Sequence, residues 1–138
     1  MGHAEAVNTY RLADARNRLR HVFVRDLMLL ASIGVHAHEQ AKSQRIRINL
    51  DLAVTEDAGV RFPDDVGQVV CYEQVSDGVR RLVAEGHVNL VETLAERIAD
   101  FALSDGRVQI VRVRVEKLDV FADVASVGVE IERFSSHP

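Results

Sequence analysis

Arg45 to Val54 reads R-I-R-I-N-L-D-L-A-V, with Ile46, Ile48, Leu50, Leu52 and Val54 on alternate positions and Arg45, Arg47, Asn49 and Asp51 between them. Successive side chains of a strand point to opposite faces, so this run makes a strand with one dry side and one wet side. A dry side needs a second layer to cover it, which excludes an isolated hairpin or a disordered chain. The pattern recurs. Val111, Val113 and Val115 alternate with Arg112, Arg114 and Glu116, and Val127, Val129 and Ile131 alternate with Gly128, Glu130 and Glu132. A further Val- and Leu-rich stretch starts at Arg20 and runs on as H-V-F-V-R-D-L-M-L-L-A-S-I-G-V-H-A-H-E-Q, which reads as the first strand, with Gly34 as its bend or bulge.

The covering layer lies between these strands. Tyr72, Val75, Val79, Leu82 and Val83 fall at helical spacing, with Gly86 as the stop. Leu90, Val91, Leu94, Ile98 and Phe101 do the same up to Leu103, where Ser104-Asp105-Gly106 signals a turn. Asn89 is the expected cap of this second helix, and Glu92 three residues later completes a capping-box pattern. Thr55 to Asp65, with Gly59 and Pro63, is a loop. The order is β-β-α-α-β-β, an α+β fold with an antiparallel four-stranded sheet and both helices on its apolar face. Residues 1–19 read as a flexible leader and 20–138 as a single domain. On the wet face, Arg45, Arg47, Arg112 and Arg114 balance Asp51, Glu116, Glu130 and Glu132 and can pair across strands. Such a sheet has two open edges, which favours closure with other copies into a ring around a water-filled passage.

Composition narrows the function. A chain of 138 residues with 47% hydrophobic content can build one real core, and 17 basic residues mixed among 21 acidic ones form neither a nucleic-acid stripe nor a membrane-binding patch. No apolar run approaches the roughly 20 residues of a membrane span. The lone cysteine, Cys71, has no internal disulfide partner, in keeping with a cytoplasmic protein, and no histidine stands beside it to activate it as a nucleophile.

The segments I-G-V-H-A-H-E-Q at 33–40, C-Y-E-Q-V at 71–75, V-N-L-V-E-T-L-A-E-R-I-A at 88–99 and E-K-L-D-V-F-A-D-V-A-S-V-G-V-E-I-E-R at 116–133, in this order and spacing, resemble dihydroneopterin aldolase. The resemblance implies a tunnelling-fold subunit, four of which close into a ring, with two rings stacked as an octamer and pterin sites between neighbours. It implies retro-aldol cleavage of 7,8-dihydroneopterin, with 2′-epimerisation as a side activity, no metal, no cofactor and no Schiff base. Carried over, Glu92 anchors the amino-pyrimidine edge of the pterin, with Val91 beside it in the binding set. A carboxylate suits that task because it accepts two parallel hydrogen bonds, and the helix N-terminus favours its charge. Lys117 is implied as the catalytic lysine, a proton shuttle once burial or a neighbouring cation favours its neutral form. Glu39 organises that lysine, Gln44 joins the substrate contacts, and Tyr72 reaches the site from a neighbouring subunit to pass a proton. The family often has Pro after the lysine, where this chain has Leu118.

Each residue has a plainer reading. Glu92 can serve only as a helix cap, Lys117 and Glu39 as solvated surface groups, and Tyr72 as an interface aromatic. His36 and His38, two apart on a strand, share a face and invite zinc, but His3 and His137 are terminal and no third ligand is evident. Two alternatives to the aldolase follow: a dihydroneopterin triphosphate 2′-epimerase, or a ring-forming pterin-binding protein without turnover. The joint presence of Glu39, Tyr72, Glu92 and Lys117 favours an enzyme.

Overall fold

The computed structural model describes residues 11–40, 42–56, 64, 65, 67 and 69–136. Among the described residues the elements run in the order β1 (Leu19–Ala31), α1 (Ala37–Gln40), β2 (Gln44–Thr55), α2 (Tyr72–Ala84), α3 (Val91–Leu103), β3 (Val108–Lys117) and β4 (Val127–Phe134). The strands form one antiparallel sheet in the order β1-β2-β3-β4. Among the described residues, no helix is long and apolar enough to cross a membrane. Most of the expected loop, Gly59 and Pro63 included, lies outside the described residues.

Alternation sets the core as expected. Ile46, Ile48, Leu50 and Leu52 of β2 and Val111, Val113 and Val115 of β3 are buried against Val79 of α2 and Leu94, Ile98 and Ala99 of α3. Each of the Ile, Leu and Val side chains contributes about 1.5 to 3 kcal/mol through burial. The two helices approach closely where Gly78 faces Phe101: a Cβ on Gly78 would stand 1.9 Å from the ring. On the open face Arg47 forks onto Glu116 at 2.9 Å, Arg112 meets Glu132 at 3.0 Å and Arg114 meets Glu130 at 3.4 Å. Arg45 departs from that cross-sheet pattern. It pairs with Asp119 just beyond β3, at 2.7 Å.

The first strand differs from its expected form in two ways. Its bulge is not at Gly34 but at Arg25–Asp26, where the register slips between Val24 and Leu27. Asp26 takes φ 52°, its amide donates to Asn49 Oδ1 at 3.0 Å, and Arg25 is freed to reach Asp51. Asp tolerates this left-handed conformation better than most residues. The strand then stops at Ala31, because Ile33 leaves the sheet to form a parallel bridge with Val88. Gly34 is the bend, at φ 131°, and the short helix α1 follows. Before β1, Asp14 exchanges backbone hydrogen bonds with Leu19 at 2.9 and 2.8 Å, and Leu12 packs on Leu19, Ala53 and Ile110.

The bridge at Val88 also explains a second difference. Asn89 does not cap α3. The chain leaves Val88 extended and turns only after Leu90, the N-cap residue (φ −123°, ψ 141°), which makes no side-chain capping bond. Glu92 is therefore the second helical residue, and no capping box forms.

Candidate active site

One end of the sheet gathers the ends of β1 and β3, the start of β2 and the start of α3. Lys117, the last residue of β3, donates from Nζ to Glu39 Oε2 at 2.5 Å. Both side chains are largely buried, 14% and 8% exposed. The Gln44 side-chain amide donates to the same Glu39 oxygen at 3.2 Å and to the Ile33 carbonyl at 2.8 Å. The His36 amide reaches Glu39 Oε1 at 3.4 Å. The structure thus brings Lys117, Glu39 and Gln44 together; Lys117 is buried, and no second cation adjoins it among the contacts of the described residues.

Its hydrogen bonds decide what Glu39 can do. The Lys117 ammonium, with help from Gln44 and the His36 amide, holds the Glu39 carboxyl down at about 2, against the opposing effect of burial. It stays ionised at neutral pH, so it accepts hydrogen bonds and orients the lysine rather than supplying a proton. Because its folded value lies below its unfolded one, the stability it contributes is complete above about pH 5 and is lost as pH falls toward 2. Glu116, held at about 2 chiefly by Arg47, adds to the same slope. Calorimetry from pH 5 to 2.5 is expected to show a falling Tm with a shallower fall in Glu39→Gln. Equal slopes in the two proteins would contradict the pairing.

Glu92 stands exposed on the first turn of α3, at the same end of the sheet, and no hydrogen bond or ion pair engages it among the described residues. Val91 beside it is half-buried against the core. Tyr72 is elsewhere. It opens α2 and is 67% exposed, whereas the far end of that helix leads to Val88 at the site. Thirteen residues of helix separate the two ends, a span of about 20 Å. One chain therefore does not bring its Tyr72 to its own Lys117.

The expected histidine geometry is not found. His36 lies in the bend before α1 and His38 inside it, rather than on a strand, and their rings stack with centroids 5.6 Å apart. Among the described residues no three His, Cys, Asp or Glu side chains converge on a metal position. The Leu118 amide donates to the Arg45 carbonyl at 3.1 Å and so carries the β2–β3 ladder past the lysine. A proline there would have no N–H to give. Asp119 then accepts from the Arg45 amide at 3.1 Å and fixes the start of the next loop.

Sequence reasoning missed two groups beside this site, Ser32 and His87. Ser32 Oγ lies 2.6 Å from His87 Nδ1, and His87 Nε2 lies 2.8 Å from the Gly34 carbonyl. The only local signal was the position of His87 directly before V-N-L-V-E.

Known proteins share both the sequence and this architecture. The family model described as dihydroneopterin aldolase matches residues 22–132. A dihydroneopterin aldolase from Escherichia coli K12 is 30% identical over 112 residues, covering 81% of this chain and 91% of the relative. A dihydroneopterin triphosphate 2′-epimerase from Pseudomonas aeruginosa is 26% identical over 121 residues, covering 88% and 95%. Among solved structures, an E. coli dihydroneopterin aldolase in complex with neopterin superposes with TM-score 0.76 at 30% identity, covering 83% of this chain and 98% of that one. A Burkholderia dihydroneopterin aldolase bound to guanine gives TM-score 0.74 at 35% identity, covering 85% and 92%.

Proposed function

Since the chain belongs to the dihydroneopterin aldolase family, its reaction is the retro-aldol cleavage of 7,8-dihydroneopterin in folate biosynthesis, and we propose that Lys117, Glu39, Gln44, Glu92, Val91 and Tyr72 form its site. The observation that carries the assignment is the buried Lys117–Glu39 pair at the same end of the sheet as a free Glu92. Glu92 accepts two N–H groups from the amino-pyrimidine edge, which orients the ring, while Val91 lines the binding surface. Lys117 in its neutral amine form, steadied by Glu39 and acting through a water, takes up the proton of the 2′-hydroxyl. The C1′–C2′ bond breaks as C2′ becomes the aldehyde of glycolaldehyde. The bonding electrons pass into the dihydropterin ring as an enol, and Tyr72 returns a proton to C1′ to give 6-hydroxymethyl-7,8-dihydropterin.

Because the ring holds those electrons, the chemistry needs neither metal, cofactor nor Schiff base. Tyr72 comes from the adjoining copy, since the length of α2 keeps it from the Lys117 of its own chain. The assembly is a ring of four, or two rings stacked as an octamer, with the balanced open face lining the passage and the cytoplasm as its compartment. Re-forming the C1′–C2′ bond on the opposite face of glycolaldehyde gives the 2′-epimer, and the likeness to the P. aeruginosa epimerase supports this as a second activity.

Incubation of the purified protein with 7,8-dihydroneopterin tests the proposal. Equal amounts of glycolaldehyde and 6-hydroxymethyl-7,8-dihydropterin are expected, undiminished by a chelator and without a borohydride-trapped adduct, from particles of tetrameric or octameric mass by light scattering. Formation of the epimer alone would assign the chain to epimerisation. A fully active monomer would rule out the shared site.

A further inference from the structure

The site is built from two halves that meet at one short seam. One half is the segment after β1, whose helix α1 carries Glu39; the other is the start of α3, which carries Glu92. At the seam the Val88 amide donates to the Ser32 carbonyl and the Gly34 amide to the Val88 carbonyl, both at 3.0 Å. Ile33 and Val88 are buried there, 1% and 7% exposed. His87 spans the same seam with its side chain, touching Ser32 Oγ at 2.6 Å and the Gly34 carbonyl at 2.8 Å. A carbonyl only accepts, so Nε2 carries a proton and donates to Gly34, while Nδ1 makes the second hydrogen bond, to the Ser32 hydroxyl. Both ring nitrogens are thus used within the chain.

What lies above Gly34 gives this clamp its consequence. A Cβ on Gly34 would stand 2.3 Å from the Glu39 carboxyl carbon, so the Glu39 side chain rests directly on the Gly34 backbone. A displacement of Gly34 is passed to Glu39, and from Glu39 to Lys117 through their 2.5 Å contact. The chain beyond His87 reaches Glu92 within the first turn of α3. We propose that His87 is a positioning residue for the reaction: by clamping the Gly34 carbonyl to the segment that starts α3, it sets the distance between the proton-transferring Lys117–Glu39 pair and a pterin held at Glu92. This rests on the functional reading above and adds a group that touches no substrate. A misplacement of about 1 Å at a reacting centre can cost about 100-fold in rate while binding is untouched.

The test compares wild type with His87→Ala, His87→Gln and Ser32→Ala in the assembled full-length protein. It reads kcat, affinity for 6-hydroxymethyl-7,8-dihydropterin by fluorescence, and amide hydrogen exchange at Gly34 and Val88. His87→Ala is expected to lower kcat by about tenfold or more, with product affinity within about threefold of wild type and faster exchange at both amides. A glutamine amide can still donate to the Gly34 carbonyl, so His87→Gln is expected to recover most of kcat, and Ser32→Ala to fall between. Wild-type kcat in His87→Ala would overturn the proposal. So would loss of affinity in proportion to kcat, or a glutamine variant no better than alanine. If His87→Ala does not fold, the glutamine and Ser32 variants decide by the same criteria. If wild type releases no glycolaldehyde, the functional reading has failed, and unchanged exchange in the variants overturns the clamp separately.

Discussion

Replacement of Lys117 by alanine is expected to slow turnover by about 100-fold to 10,000-fold, the usual range for loss of a positioned acid or base, with pterin affinity near that of wild type. A second effect comes from its partner. Glu39 is 8% exposed in its side chain and takes its main hydrogen bond from Lys117, so the variant leaves a buried carboxylate with only Gln44 and the His36 amide. That loss is expected to cost about 1 to 3 kcal/mol of stability. The Glu39 carboxyl then titrates closer to the ordinary range, and part of the acid sensitivity between pH 5 and 2.5 disappears. Single-turnover kinetics, product binding and calorimetry on one preparation separate these effects. Turnover within about threefold of wild type would remove Lys117 from the chemistry.

Replacement of Glu92 by alanine is expected to show the opposite signature. If Glu92 holds the pterin in both ground and transition states, KM and product dissociation rise together while kcat changes little. Loss of a charged, bidentate acceptor corresponds to about 2 to 4 kcal/mol, or roughly 30-fold to 800-fold in affinity. Stability should hardly move. Glu92 makes no capping bond, because α3 is capped at Leu90 without a side-chain contact. Only its favourable placement at the helix terminus is lost, about 0.3 to 1 kcal/mol at an exposed site. Unchanged pterin affinity with a lower Tm would return Glu92 to a purely structural role.

Much of the candidate site was legible as residues but not as geometry. The resemblance named Lys117, Glu39 and Gln44, and the fold supplied their contacts, made across 78 and 5 positions of sequence. It also showed that Glu92 is free, which its spacing from Asn89 had obscured. His87 had no comparable signal, because its two partners, Ser32 Oγ and the Gly34 carbonyl, lie 55 and 53 residues away.

By itself, the sequence determined the four strands, the two long helices and which of their faces are dry, while the short helix α1 lies in a stretch whose pattern reads as part of the first strand. Periods of 2 and 3.6 are properties of neighbouring residues and survive whatever the chain does elsewhere. Tertiary structure decided where β1 bulges and ends and where α3 begins. The β1 bulge sits at Asp26 because Asn49 on the next strand supplies its partner, while Gly34, the better local candidate, is used for the turn over which Glu39 lies. Helix α3 starts at Val91 because Val88 is tied to Ser32 and Gly34, which keeps Asn89 and Leu90 from turning earlier. Each of these breaks depends on hydrogen-bond partners brought close only by the folded sheet, and a local pattern carries no information about them.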